Sequence, residues 1–593
     1  MKVFFKIFLI SISFLVMFVF SLQNVVRAAP EFQHLISANY IIREDNSATV
    51  EYHFKTTNKL NNNYLKSYSF TVPFEPLNIK TDKSVSPTKL KKLNKISDLN
   101  TYEMEIEFLN PTYGSEKAFD WSFSFDIKDI VIDRGMQKAI IIPTFVKDDS
   151  FITYNISLKL PKKLGELSNI YGNAGIQENE SDYFLSFVST RNPAPNIIVL
   201  LNNTQEYSFE VNDIKSETII PLPLINEKQK VIYSDFPEKE VNINHPKDIN
   251  NYITLQENQS IKGIIKTTKG YEKEIGVIES KFPDYKYLNE ITDNINSTGL
   301  SQMEIARKIY EDYLFRFTIG DYRINKDTAL SVEEDKFNVN PVELNYIYRY
   351  LLNRFNIQSR GVYGYVYPIQ PFRIENPKTD IHVWTEIWDG EKWISVDPVW
   401  YLSSRGTIYF DNNDFHHISF GNYYDIEKLK TFLKAGRNIT VRPLKSREYI
   451  EKNSNLNIEV VDKVYMNREV RAKVVNNSNY PISLKDIKLN LDSPRIKVTN
   501  QFDQLNVVLY PNTTANLTFP LDYDLVLLST HEDVRMDVRF FEKNENKTQT
   551  VNSSIIIQTN ISSYISMIIF CVFIIFGLIS VFSISIYKKR SKI

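Results

Sequence analysis

The chain has 593 residues, 43% hydrophobic and 24% charged, with 17 glycines, which describes globular material too long for a single core. A formal net charge of -1 gives no overall attraction to nucleic acid, and no nucleic-acid partner is expected. The single cysteine, Cys571, excludes a disulfide framework, so any extracytoplasmic domains must be held by ordinary cores.

In chain order, Lys2 and Lys6 precede an apolar run from Ile7 to Leu22, and in the step Val26-Arg27-Ala28 the two outer residues are the small ones that cleavage needs. Residues 1–28 therefore read as a signal peptide, with an uncleaved anchor as the alternative. From Glu31 to Tyr233 the text is β-like: Val50, Tyr52 and Phe54 alternate with Glu51, His53 and Lys55, and Tyr207, Phe209 and Val211 repeat the pattern. A soft boundary near Asp148 and Asp149 divides this into β-rich modules over 29–148 and 149–250, or leaves one large module. The basic stretch from Lys80 to Lys95 reads as an exposed loop rather than a binding patch.

The period changes in the next domain, 251–425. Ser301 and Glu304 form a capping box that opens a helix to about Phe317. A second helix starts at Asn340, with Pro341 at its first position and Glu343 answering the cap. Leu344, Ile347, Tyr348, Leu351, Leu352 and Phe355 give it one apolar face, and Asn356 can end it. Gly361 to Tyr367, His382 to Trp388 and Trp393 to Val399 then read as antiparallel strands. His382 and Asp397 fall on two of them, fifteen residues apart, among Trp384, Trp388, Trp393 and Trp400.

Beyond Ile450 alternation returns, with Val534, Met536, Val538 and Phe540 on one face, and 450–560 reads as an Ig-like β-sandwich. Ile565 to Ile586 is uncharged; its 22 residues make a helix of roughly 33 Å, enough for a bilayer core of about 30 Å. Residues 564–587 are expected to form a single transmembrane helix. Lys588, Lys589, Arg590 and Lys592 place the tail 588–593 in the cytoplasm and the rest outside the cell membrane.

The segment Phe355 to Tyr365, the run His382-Val383-Trp384-Thr385-Glu386 and the run from Trp393 to Trp400 resemble the transglutaminase-like superfamily. Tyr409, Phe410, Asp411 and the residues from Asp414 to His417 resemble the segment that follows in its membrane-anchored bacterial members. The resemblance implies an α+β papain-like fold with a Cys-His-Asp triad. His382 and Asp397 match two members of that triad. The family's cysteine is followed two residues on by an acidic residue, and Glu343 places that position at Pro341, or at Asn340 with a shift of one. Neither is a nucleophile, and loss of a triad nucleophile costs on the order of 10⁶ in kcat.

Two readings follow: a non-catalytic binding or structural protein with an unidentified extracellular protein or cell-wall ligand as partner, or an acyltransferase or peptidase with an unrecognised nucleophile. No cofactor is implied. A metal on His382, Asp397, Asp414, His416 and His417 has the right donor types, but their spacing matches no ligand motif, so none is expected. The tryptophans read as sheet core.

Overall fold

The computed structural model describes residues 31–590 except 82–86, 98–100, 144–149, 190–195, 227, 243–251, 269–281, 283, 321–337, 368–378, 404–408, 412–414, 424–425, 447–454, 461–462, 465–468, 495, 504, 506, 524–529, 543–544 and 558–560. The signal-peptide residues, the boundary pair Asp148 and Asp149, and Asp414 therefore lie outside the described residues.

Period-two alternation builds most of the molecule. Val50, Tyr52 and Phe54 are buried while His53 and Lys55 face water, and the strand Ala48–Asn58 sits inside a seven-stranded sheet. Phe54 stacks on Trp121 with centroids 4.0 Å apart. Of the two readings at the soft boundary near residue 148, one large module agrees with the sheet, because Phe151–Pro161 lies parallel to the first strand, Phe32–Ile42. One core runs from Ile36 to Leu201 across that point. A parallel partner far away in sequence leaves no local mark, so periodicity could not reveal it.

The basic stretch needs correction. Thr88–Ser97 is a strand, paired with Thr101–Phe108. Lys89 and Lys91 meet Glu107 and Glu105 across the pair, at 2.9 and 2.8 Å. Both of its faces are largely wet, so apolar alternation was absent although the ladder is present.

A four-stranded sheet follows, in the order Gln229–Asp235, Ile261–Thr268, Thr204–Val211, Ile439–Pro443. Thr204–Val211 and Gln229–Asp235 precede the expected 251–425 domain, Ile439–Pro443 follows it and Ile261–Thr268 falls inside its bounds, so it is the part after Thr268 that is inserted into this sheet. The inserted part contains the helices Lys286–Asp293, Gln302–Lys308 and Pro341–Arg354 and a sheet ordered Trp393–Val396, Asp380–Trp388, Ser359–Val366, His417–Tyr423. The capping box on Ser301 is formed, and the helix it opens continues through wider and tighter turns to Arg316.

Beyond residue 455, strands build two five-stranded sheets, one of them completed by Lys239–Asn242 from far upstream, around one core that includes Val470, Val474, Leu517, Val534, Met536 and Val538. The last element is the helix Ile561–Arg590, whose stretch Ile568–Ile586, with mean hydropathy 2.8, is long and apolar enough to cross a membrane.

Candidate functional site

The helix Pro341–Arg354 starts where Asn340 accepts hydrogen bonds from the backbone N–H groups of Val342 and Glu343, at 2.9 and 3.0 Å. Glu343 reaches back to accept from the Asn340 N–H at 2.9 Å. Pro341 is buried at the first helical position, where a missing N–H costs nothing. Leu344, Ile347, Tyr348, Leu351 and Leu352 are all buried in one core, and Asn356 takes a left-handed φ of 55° after the helix.

This first turn is pinned to the strand Asp380–Trp388. The Asn345 amide donates to the Pro341 carbonyl at 2.9 Å and to the Val383 carbonyl at 3.1 Å. The Thr385 hydroxyl donates to the side-chain oxygen of Asn345, Oδ1, at 2.9 Å. Pro341 is therefore tied, through one buried side chain, to the residue next to His382.

Alternation along the strand sends His382, Trp384 and Glu386 to the face opposite Val383 and Thr385. Asp397 stands just past the end of Trp393–Val396. The expected strand to Val399 is corrected here: Pro398–Ser403 is a short helix, and the Asp397 Oδ1 accepts from the N–H groups of Val399 and Trp400 at 2.9 and 3.0 Å. An Asp-Pro step favours a helix start over strand continuation. The Asp397 backbone is also held: its N–H donates to the Tyr409 carbonyl at 2.9 Å, and Tyr310 donates to its carbonyl at 3.1 Å.

The other carboxylate oxygen, Oδ2, lies 2.8 Å from His382 Nε2 and 3.0 Å from His417 Nε2. Burial alone would raise the Asp397 pKa. The two imidazoles outweigh it and hold the carboxyl far below the ordinary carboxylate range. His417 comes from the strand on the far side of Ser359–Val366, where His382 pairs with Gly364 and His417 with Val366. A Cβ at Gly364 would stand 2.0 Å from the Ile418 carbonyl oxygen, so only glycine lets these strands close up here. His417 is flanked by Trp384 and Trp400, with centroids at 4.9 and 4.6 Å. Its neighbour His416 points away and stacks on Tyr367, 5.9 Å off. Trp384, Trp393 and Trp400 are buried and Trp388 is half-buried.

A cavity of about 40 Å³ opens beside this cluster, lined among others by Asp397, His417, Trp384, Lys228 and Ser395. Lys228 was not foreseen. It precedes the strand Gln229–Asp235, and its Nζ meets Glu386 at 3.1 Å and Ser395 Oγ at 3.2 Å. Arg360 holds the other Glu386 oxygen at 2.6 Å and lies over the Trp393 ring. Burial pushes the Glu386 carboxyl up, but Lys228 and Arg360 prevail and lower it. Lys228 is 158 residues from Glu386, and no local signal could have marked it.

Residues 289–398 match the family model of the transglutaminase-like superfamily. No curated protein matches the chain. Among solved structures, a candidate cysteine protease from Cytophaga hutchinsonii is 12% identical, covering 40% of this chain and 86% of its own, at a TM-score of 0.24. A candidate protease from Parabacteroides distasonis is 10% identical over 89% of this chain and 93% of its own, at 0.20. An M1 zinc metallopeptidase from Deinococcus radiodurans is 9% identical over 30% of this chain and 43% of its own, at 0.19. The chain spans less than half of such metallopeptidases, and at these scores none of the three carries an argument. Residues 289–398 thus form a transglutaminase-like domain within a larger, β-rich chain.

Proposed function

We propose that this is a membrane-anchored surface protein whose transglutaminase-like domain has lost acyl transfer and serves binding or structural work outside the cell. The observation that carries the reading is Pro341, buried at the start of the helix where the superfamily places its nucleophile, with no thiol or hydroxyl to offer. The C-terminal sandwich, Ig-like in this reading, acts as a stalk to the helix Ile561–Arg590, and the basic residues after Ile586 keep that end in the cytoplasm. The partner is an extracellular protein or a cell-wall ligand.

Full-length protein in detergent, given glutamine donors, amines and peptides, should show no turnover that depends on His382. Turnover abolished by His382→Ala would overturn the reading. One observation favours an enzyme instead: Ser395 lines the cavity and sits 3.2 Å from Lys228 Nζ. Lys228 is already committed to Glu386, a poor arrangement for a base, and Ser395→Ala tests that route directly.

The site's geometry has its own test. In a Cys571→Ser background, Pro341→Cys should place a thiol at a helix N-terminus near an imidazole, where its pKa falls. Iodoacetamide should alkylate it faster at pH 7 than a model peptide thiol, and His382→Ala should remove the excess. Equal rates would show that the nucleophile position lies elsewhere.

A further inference from the structure

We propose that His382, His417 and Asp397 bind a divalent first-row transition cation, with zinc the best-suited probe. The inference goes beyond the loss of acyl transfer and does not depend on it. The three ligand atoms, two imidazole Nε2 and one carboxylate oxygen, all lie within 4.8 Å of one another. Two neutral imidazoles and a carboxylate are an ordinary donor set for such a metal with further positions open.

Two of the three ligand separations already fit, and the two imidazole nitrogens, within 4.8 Å of each other, need only close around the ion. Metal–ligand bonds of about 2.0–2.1 Å at angles of 90–110° put neighbouring ligand atoms about 2.9–3.4 Å apart. The Nε2–Oδ2 separations are 2.8 and 3.0 Å. Oδ1 is already occupied by the N–H groups of Val399 and Trp400, which fixes the carboxylate with Oδ2 turned to both rings. Such outer hydrogen bonds are what orient a ligand for a metal.

The site is enclosed but not sealed. Side-chain exposure is 8% for His382, 3% for Asp397 and 13% for His417, which limits competing hydration. The adjoining cavity of about 40 Å³ is lined by Asp397 and His417 and exceeds the 10–15 Å³ that a water needs. A water can therefore complete the coordination from that side. The sequence spacing gave no hint, because the ligands come from two strands that flank a third and from the start of a short helix. A hydrogen-bonded His-Asp-His relay without metal is the competing account, and binding separates the two.

The experiment uses full-length Cys571→Ser protein in detergent, stripped with chelator, dialysed and titrated with zinc chloride by calorimetry. One zinc per chain at micromolar affinity or tighter is expected, with a rise in the unfolding temperature of the tryptophan-rich domain. Cobalt should bind at the same stoichiometry and give visible d–d absorption. His417→Gln keeps a donor for Asp397 but loses the imidazole, and should weaken zinc at least 100-fold while unfolding at the temperature of the stripped parent. His53→Gln, on a strand elsewhere, should change nothing. No stoichiometric binding, or binding unchanged in both His417→Gln and His382→Gln, overturns the proposal.

Discussion

Glu386→Gln removes one charge from a buried three-residue network while keeping the side chain's size. In the native protein that carboxylate stands between Lys228 and Arg360, with side-chain exposures of 7%, 17% and 4% respectively. The amide cannot neutralise either cation, so two positive groups remain in a poorly solvated place. Breaking a buried pair in this way costs about 3–5 kcal/mol. The same two cations hold the Glu386 carboxyl below its ordinary value of 4.5, at about 2. At about 1.4 kcal/mol per unit, that is about 3 kcal/mol of stability. The sign is that of a depressed carboxylate. The contribution is complete above pH 4.5 and is lost as pH falls toward 2. The measurement is urea unfolding of parent and variant at several pH values. Tryptophan fluorescence suits it, because four of the five tryptophans, at 384, 388, 393 and 400, lie in this domain. The variant should be about 3 kcal/mol less stable at pH 7, and the gap should narrow below pH 4. A gap under 1 kcal/mol at pH 7, or one constant from pH 7 to 3, would refute the electrostatic account.

Other changes probe the elements that build the site. Asn340→Ala deletes the acceptor for two helix N–H groups and should cost about 1 kcal/mol, read by the same unfolding curves. Gly364→Ala puts a methyl group against the Ile418 carbonyl and should destabilise by more than 2 kcal/mol, with amide exchange rising in His417–Tyr423 before other strands. Tyr310→Phe removes the donor to the Asp397 carbonyl and an acceptor for the Tyr409 N–H, and should cost about 1–3 kcal/mol in the same assay.

What could be read from the sequence was what local chemistry dictates. The capping box at Asn340, the apolar face from Leu344 to Leu352 and the left-handed Asn356 each depend on neighbours within a turn or two, and each is present. The alternation around Val50 and Val534 likewise needs only its own strand. Pairing across long separations was not legible. Nothing near Phe151 announces a parallel partner at Phe32, and nothing near Lys228 announces Glu386. The ladder of Lys89 and Lys91 was missed for the opposite reason, since cross-strand ion pairs give a strand without an apolar face.

The same distinction explains why the motif His382 to Asp397 identifies a fold more readily than it identifies a task. His382, Trp384, Glu386 and Asp397 all have structural work in the sheet. Trp384 packs against the His417 ring, Glu386 joins a neighbouring unit through Lys228, and Asp397 caps a helix with one oxygen while holding two imidazoles with the other. A domain that gave up the nucleophile would still lose stability if it gave up these residues. Their presence therefore follows from packing and charge whether or not a reaction occurs. In the proposed reading only Pro341 bears on acyl transfer without also being needed for such contacts, because many residues can occupy the first turn of a capped helix. That asymmetry is why the reading of function rests on one residue, while the reading of fold rests on the whole sheet.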